Sequence, residues 1–417
     1  VGQDAGVLSA LASRDFRLLW ISQTVSGIGD TLILVAIGLY VTRLTGNPTD
    51  VGLVLAAYSV PLVIFLLVGG VIADRLPRQK LMVATDIVRA LAHGTLTLLI
   101  LTGVIQIWMM MVIGVIFAIA RAFFQPAYTG IVPQTVPESD IQGAQALGGL
   151  SREIASFVSP AIATVLVLTV GGAAAFGLDA ASFVFSALLV WRIRLPDSTG
   201  TGSPAGVLGE LRSGWAAVRE RGWVLYTIIS FSFALPAGLA PFEVLGAQIA
   251  REVYHSEAVF GLANAAWGIG TITGAVIGSR WRPRRPMLVA MSAAVPWGAA
   301  VAVYASGAAV AVLYVVMAAA GICLGLFSVL WETALAERIP GGLLSRVSAW
   351  DWMGSLALLP IGYIFAGPLG HWLGDVDVLV GGGIAASVAS ALGLLPRATR
   401  RLGAIDPRQA VPAQLTG

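Results

Sequence analysis

Several ionisable side chains stand inside otherwise apolar runs, and these are the residues whose types could do chemistry. Asp30 lies in SGIGDTLIL and Arg121 in AIARAFFQP, each with hydrocarbon-compatible neighbours on both sides. A charge at the centre of a bilayer costs about 2.5–3.5 kcal/mol on insertion scales, so each needs a reason. Asp30 admits two. A carboxylate that meets first a dry site and then a cation binds and releases a proton; alternatively, it is the fixed partner of a buried arginine. Asp86 and Arg89 are three residues apart, a helical spacing that favours a local pair. Arg152 and Glu153 are expected around a cytoplasmic vestibule, Asp179 as a capping or packing residue, and Glu243 as a gate or surface residue. Glu332 and Asp351 carry the charge that would attract a cationic substrate.

Aromatic residues add a candidate lining for a cavity. Tyr58, Phe123, Phe124, Trp267, Trp331, Trp350 and Trp352, with Gln125 beside them, offer faces suited to flat or cationic amphiphiles. Trp and Tyr also gather at membrane interfaces without binding anything, so interfacial or packing roles stand as the alternative. Gly270, Gly274 and Gly278 recur every fourth residue and are expected to pack two helices closely. Pro236, Gly238 and Pro241 should bend or loosen the helix that contains them.

Membrane-spanning helices must position these groups. Of 417 residues, 57% are hydrophobic and 11% charged, against about 25% charged in soluble domains. Runs near the length of about 20 residues that crosses a bilayer fall at 17–41, 51–73, 81–103, 107–129, 141–169 and 172–191. Six more fall at 223–249, 258–279, 287–306, 309–335, 347–369 and 376–395. The expected fold is therefore all-α and polytopic, with twelve transmembrane helices. PDSTGTGSPAG, rich in Pro, Gly and Ser, marks a flexible linker. It divides an N-terminal half (1–195) from a C-terminal half (215–417), with residues 196–214 between them. Almost all bases flanking the spans fall on one side, and only Arg43 and Arg251 fall opposite. The positive-inside rule makes the basic side cytoplasmic, together with both termini and the linker. An even number of spans is required for that result.

The halves resemble each other: QPAYTGIVPQTVP in the fourth span aligns with ETALAERIP in the tenth, and Gly70 to Lys80 falls near Gly274 to Arg285. A duplicated six-span unit places a site between repeats at mid-membrane. With the loop GGVIADRLPRQK, these features resemble the major facilitator superfamily. SQTVSGIGDTLILVAIGLYVTRLTGNPTDVGL and the Arg346-Val347-Ser348-Ala349 run are similar to its branch of enterobactin, macrolide and tetracycline exporters. The resemblance covers essentially the whole chain. It implies two pseudo-symmetric six-helix halves that rock around a central cavity. It also implies that Gly70 lets the second span approach the eleventh, and that Asp74, with Arg75 and Arg78, forms a cytoplasmic latch onto the eleventh helix. In the family the first and fourth spans both line the cavity, so Arg121 is the expected partner of Asp30 in proton coupling. Three departures stand out: Pro77 replaces the signature glycine, Gly278 replaces the acid in the second copy, and the glycine-rich fifth-span signature of many family antiporters survives only as Ala155, Ser159 and Pro160.

Other classes are excluded as expectations. The basic residues lie in short clusters between spans, which topology explains better than nucleic acid. Cys323 is the single cysteine, and His93, His255 and His371 show no ligand spacing. No nucleophile with its base and no phosphate-binding loop is present, so neither an enzyme nor direct ATP use is expected, and no cofactor. The expected reading is a monomeric carrier in the cell membrane that exports a small amphiphile against protons or sodium. A dedicated single-metabolite exporter or uptake permease is the alternative, and a non-transporting scaffold or receptor is a more remote one. No cleavable signal precedes the first span, which is expected to serve as its own insertion signal, and a chain beginning at Val1 is expected to have lost its native start. Asp74→Asn is expected to shift the balance away from the outward-facing state; distances between spin labels on the outer ends of the halves would reveal it.

Overall fold

In hydrocarbon every backbone N–H and C=O must be satisfied within its own segment, so apolar runs of this length fold as helices. The computed structural model describes residues 9–73, 76–137, 140–195 and 206–403. Twelve of its helices are long and apolar enough to cross a membrane. In the first half these are α1 (Arg14–Thr45), α2 (Pro48–Ala73), α3 (Arg78–Leu101), α4 (Ile107–Thr135), α5 (Ile141–Val165) and α6 (Gly172–Trp191). In the second half they are α7 (Gly222–Val253), α8 (Ala258–Arg280), α9 (Pro286–Ala305), α10 (Val310–Arg338), α11 (Arg346–Leu373) and α12 (Asp375–Leu392).

Local sequence sets the ends. Ser13 caps α1 by accepting from the Phe16 amide at 3.3 Å, and Gly46 ends it at φ 66°, a left-handed cap open to glycine. Pro48 then opens α2, where its missing N–H costs nothing. Pro77 stands before α3 at φ −57°, within proline's fixed range, so the replaced signature glycine is accommodated there without a left-handed turn. The loosening expected around Pro236 appears as a π-helical turn, Leu235–Leu239, inside α7. The run expected as a flexible linker, PDSTGTGSPAG, lies outside the described residues except for Gly206, but the stretch that follows it, up to residue 214, is helical and not linker-like. Residues 206–220 form a helix, because GVLGELRSGWAAVRE places Val207, Leu211, Trp215 and Val218 at helical spacing.

The core shows how the halves are joined. Towards the end bearing the α1–α2 turn, one continuous apolar core draws on both halves, from Leu32–Val41 and Val51–Tyr58 to Ala240–Ala250 and Val259–Ala263. Towards the opposite, basic end the core divides. One cluster belongs to the first half around Phe16, Leu19, Phe124 and Ile131, and a second to the other half around Trp223, Phe327 and Trp331. The helix pairs bridging the halves are α2 with α11, α5 with α8, and α1 and α2 with α7. Under the internal repeat the first two pairs are equivalent. A Cβ on Gly52 would overlap the Tyr363 carbonyl, one on Gly367 the backbone of Thr49, and one on Gly261 the side chain of Thr164. Arg43 adds an ion pair to Glu257 and donates to the Val167 carbonyl at 3.0 Å. Among the described residues the halves thus share a core at the far end, and no shared core joins them at the basic end.

Within each half small residues bring backbones together. Cβ atoms on Gly270 and Gly274 would overlap the carbonyls of Ala318 and Ile322, and those on Gly321 and Gly325 would overlap Trp267 and Thr271. The expected glycine stripe is therefore the α8–α10 seam. Gly274→Ala is expected to force this seam apart at a cost of about 1–3 kcal/mol. Gly94→Ala, at a position facing open space, should leave stability unchanged or raise it by up to about 1 kcal/mol, the helix preference for Ala. Unfolding midpoints in detergent would compare the two.

Candidate functional site

On α3, Asp86, Arg89 and His93 follow at i, i+3 and i+7 and so share one face. That face turns into the first half. Arg89, 1% exposed, is bonded to Asp86 on its own helix and, at 3.3 Å, to Asp30 Oδ2 on α1. Its guanidinium lies between the rings of Phe124 and Phe183, with centroids 4.1 and 4.2 Å away. Such cation–π contacts replace some of the water that the charge has lost. Asp86 also accepts from the Ser186 hydroxyl at 2.7 Å. Ser186 in turn accepts from the Gln23 amide at 3.2 Å.

One helical turn along, His93 Nδ1 meets Asp179 of α6, and the Tyr58 hydroxyl of α2 meets His93 Nε2 at 3.0 Å. Phe117 stacks on the imidazole at 4.2 Å with the planes 6° apart. The absence of a side chain on Gly29 lets α1 approach Asp179, since a Cβ there would strike its carboxylate. Asp30 Oδ1, Asp179 Oδ1 and Arg89 Nε are buried with no hydrogen-bond partner among the described residues. The cluster thus joins five helices and sets Asp30, Asp86 and Asp179 against one guanidinium and one imidazole. Of the three carboxylates, Asp86 and Asp179 are 0% exposed and Asp30 is 19% exposed. Asp30 is the point of access.

The structure rearranges several sequence expectations. Arg121 is half-buried, and it has no ion-pair partner among the described residues; Arg89 takes the place expected for it beside Asp30. The reason is geometric: α3 presents Arg89 to α1, whereas the register of α4 places Phe124 in that contact. Phe124 and Tyr58, expected to line the cavity, are 5% and 8% exposed and belong to the buried cluster. Asp179 lies well inside α6 rather than capping it. The Asp86–Arg89 pair forms as its spacing indicates. In the latch, Gly70 lies within α2, Asp74 and Arg75 lie outside the described residues, and Arg78 Nη1 donates to the Gly130 carbonyl of α4 at 2.6 Å.

The second half holds a separate acidic group. The Trp331 indole donates to Asp351 Oδ2 at 2.9 Å, and Asp351 is half-buried while Trp331 is 5% exposed. Glu332 and, on the opposing half, Gln125 and Arg152 are exposed. Trp267 is half-buried edge-on to Trp297, with centroids 6.3 Å apart, and Trp350 packs on Trp215 of the linker helix at 4.9 Å. Trp352 is 68% exposed. Glu243, expected as a gate or surface residue, is half-buried and accepts from the Tyr363 hydroxyl, so it is no free surface side chain.

Two six-helix halves, sharing a core at one end and, among the described residues, holding separate cores at the other, with charged residues at membrane depth, define a transporter of the major facilitator type. A family model described as "Transmembrane secretion effector" matches residues 5–397, and the chain belongs to that family. It is 28% identical over 208 residues to macrolide efflux protein A of Streptococcus pyogenes, a match spanning 49% of this chain and about half, 51%, of that relative. It is 24% identical over 373 residues to the multidrug efflux pump Tap of Mycolicibacterium fortuitum, covering 84% of this chain and 88% of the pump. Among solved structures, a bacterial homologue of the human lysosomal transporter Spinster, in an inward-facing and unoccupied conformation, superposes with a TM-score of 0.68 at 14% identity, covering 95% of this chain and 98% of that one. The nucleoside transporter NupG gives 0.65 at 14% identity, covering 91% and 98%.

Removing Arg89 leaves buried carboxylates without their cation. Arg89→Gln is expected to destabilise the protein by about 3–5 kcal/mol, and Arg121→Gln by no more than about 0.5 kcal/mol. Thermal unfolding of the purified variants would distinguish them.

Proposed function

We propose that this transporter exports small amphiphilic compounds in exchange for protons, through alternating access about a cavity between its halves. Its place is the cell membrane, with the basic, open end and both termini in the cytoplasm, as the distribution of Lys and Arg supports. The observation that carries the coupling is the charge count of the buried cluster. Asp30, Asp86 and Asp179 oppose one guanidinium and one imidazole, so even with His93 charged the acids exceed the cations by one, and an excess of negative charge at membrane depth is costly unless a proton is bound. Asp30 is the cluster's accessible carboxylate. A proton there cancels its attraction to Arg89, which keeps Asp86, and so releases α1 from α3 without leaving the guanidinium unpaired. The bound proton moves with the half that carries it, and a membrane potential supplies about 2.3 kcal/mol per charge per 100 mV.

The efflux proteins among the relatives support the direction of transport and the amphiphilic class. On the cavity side, the acids Asp351 and Glu332 beside Trp331 suit a substrate with an apolar body and a positive charge. Arg121, half-buried on α4, remains in this proposal as a gating cation on the opposing half.

The test is flux in proteoliposomes, with a macrolide and a lipophilic cationic dye as probes, under an imposed pH gradient or an imposed sodium gradient. Expulsion driven by the pH gradient is expected. Asp30→Asn should lower it at least about tenfold, a loss of roughly 1.4 kcal/mol or more in coupling, while leaving downhill exchange intact. Wild-type flux by this variant would remove Asp30 as the carrier, sodium dependence would replace the coupling ion, and flux confined to one metabolite would replace the amphiphile class.

A further inference from the structure

A second titratable group occupies the seal itself. Glu243 and Tyr363 sit where α1, α2, α7 and α11 converge. The Tyr363 hydroxyl donates to the Glu243 carboxyl and so ties α7 to α11. The same two residues supply backbone carbonyls to the other half: that of Glu243 faces Gly38 of α1, and that of Tyr363 lies against Gly52 of α2. One side-chain bond therefore links two residues whose carbonyls both lie against the first half. Glu243 also opens the helical segment that follows the π-turn Leu235–Leu239, where α7 is least regular.

The surroundings of this carboxyl are neutral. Phe242 and Phe260 pack together beside it, 5.5 Å between centroids, and Tyr363 is 3% exposed. The charged groups of the seam lie elsewhere. Arg43 of α1 is committed to Glu257 at the start of α8. Arg251 binds Gln248 and the Thr42 carbonyl, eight residues or about 12 Å along α7. Glu252 is bonded to Gln248, His371 to Asn47 at 3.3 Å, and Asp50 stands in the first turn of α2. Asp30 lies eight residues before Gly38 on α1, again about 12 Å away. Among the described residues, no cation is within ion-pair distance of Glu243. A carboxylate in such a place, without a cation, is disfavoured against the neutral acid. Glu243 is nonetheless half-buried rather than enclosed, so a proton can reach it.

We propose that Glu243 is a second proton-binding site, in the C-terminal half, whose occupancy holds the far end sealed. With the proton bound, the seam contains no uncompensated charge and the Glu243–Tyr363 bond braces α7 against α11. When the halves part, water reaches the carboxyl, the ionised form is stabilised, and the open state is favoured; reclosure takes up a proton from the far side. A ligand that binds one state better shifts the population towards it, and here the ligand is the proton. The inference rests on the alternating-access reading but not on Asp30 as the carrier.

The experiment measures the distance between spin labels on the two far-end loops, at Thr102→Cys and Ser306→Cys in a Cys323→Ala background. Both loop positions are exposed. In detergent or nanodiscs, and with no substrate, raising the pH should move the wild-type population from the short to the long separation. Glu243→Gln should stay short at every pH, Glu243→Asp should respond like the wild type, and Asp30→Asn should keep the response. Tyr363→Phe should open at lower pH. A wild-type response in Glu243→Gln overturns the proposal, as does an absent response in the wild type or a response abolished by Asp30→Asn alone. Failure of Asp30→Asn in the flux assay with this pH response intact would separate the two readings.

Discussion

A guanidinium held inside a bundle of six helices dictates how the helices around it are turned. Arg89 is 1% exposed, and its donors and ring faces have to be met by protein. Asp86 meets it from the same helix, Asp30 from α1, Phe124 from α4 and Phe183 from α6. The same face of α3 carries His93, which brings in Asp179 of α6 and Tyr58 of α2. Rotation of any of these helices by a fraction of a turn would strand a charge. The cluster thus fixes the azimuth of five of the first half's helices as firmly as apolar packing fixes their distance.

The contact between halves is built on a different principle. In lipid there is no hydrophobic gain in bringing apolar helices together, so association depends on close backbone approach and dispersion. Within the second half the glycine seam of α8 and α10 provides that approach along several turns. Between halves, Gly52, Gly367 and Gly261 provide it at the far end, and among the described residues the core is continuous there alone. On the proposed reading, each half moves as a unit while the joint between them stays separable. Arg43 and Glu257, partly exposed at the rim, close the joint with an ion pair that water can readily replace.

The twelve spans, the internal repeat and the glycine stripe were legible in sequence because they rest on length, periodicity and residue size. The Asp86–Arg89 pair was legible for the same reason: three residues on a helix define a distance. The partner of Asp30 was not. Two arginines of the first half could serve, and the sequence does not reveal which face α3 or α4 turns towards α1. His93 and Asp179 are 86 positions apart, and their contact exists only after α3 and α6 have packed. A signal was nevertheless present, since Asp86, Arg89 and His93 fall on one helical face, and a face that carries an ion pair into a protein interior carries its neighbour there too. Tyr58 and Phe124 were misplaced for the opposite reason. Aromatic residues on helices near a cavity can face either the cavity or the bundle, and their type alone does not decide.

The halves treat buried acid differently, and the difference gives exchange a physical meaning. In the first half, Asp30 and Asp86 share a guanidinium and Asp179 faces an imidazole. In the second half, Glu243 is met by a tyrosine hydroxyl and Asp351 by an indole N–H, and among the described residues neither has a cation in reach. A neutral donor compensates an ionised carboxylate less well than a cation does. On the proposed reading, the charge of the second half's acids therefore depends on what reaches them, whether proton or cationic amphiphile. On the proposed reading, protons at Asp30 and Glu243 and a substrate beside Asp351 need not touch. The proton at Glu243 and the substrate each alter the cost of keeping one end sealed, and two ligands that bias the same equilibrium in opposite directions weaken each other's binding by the same factor.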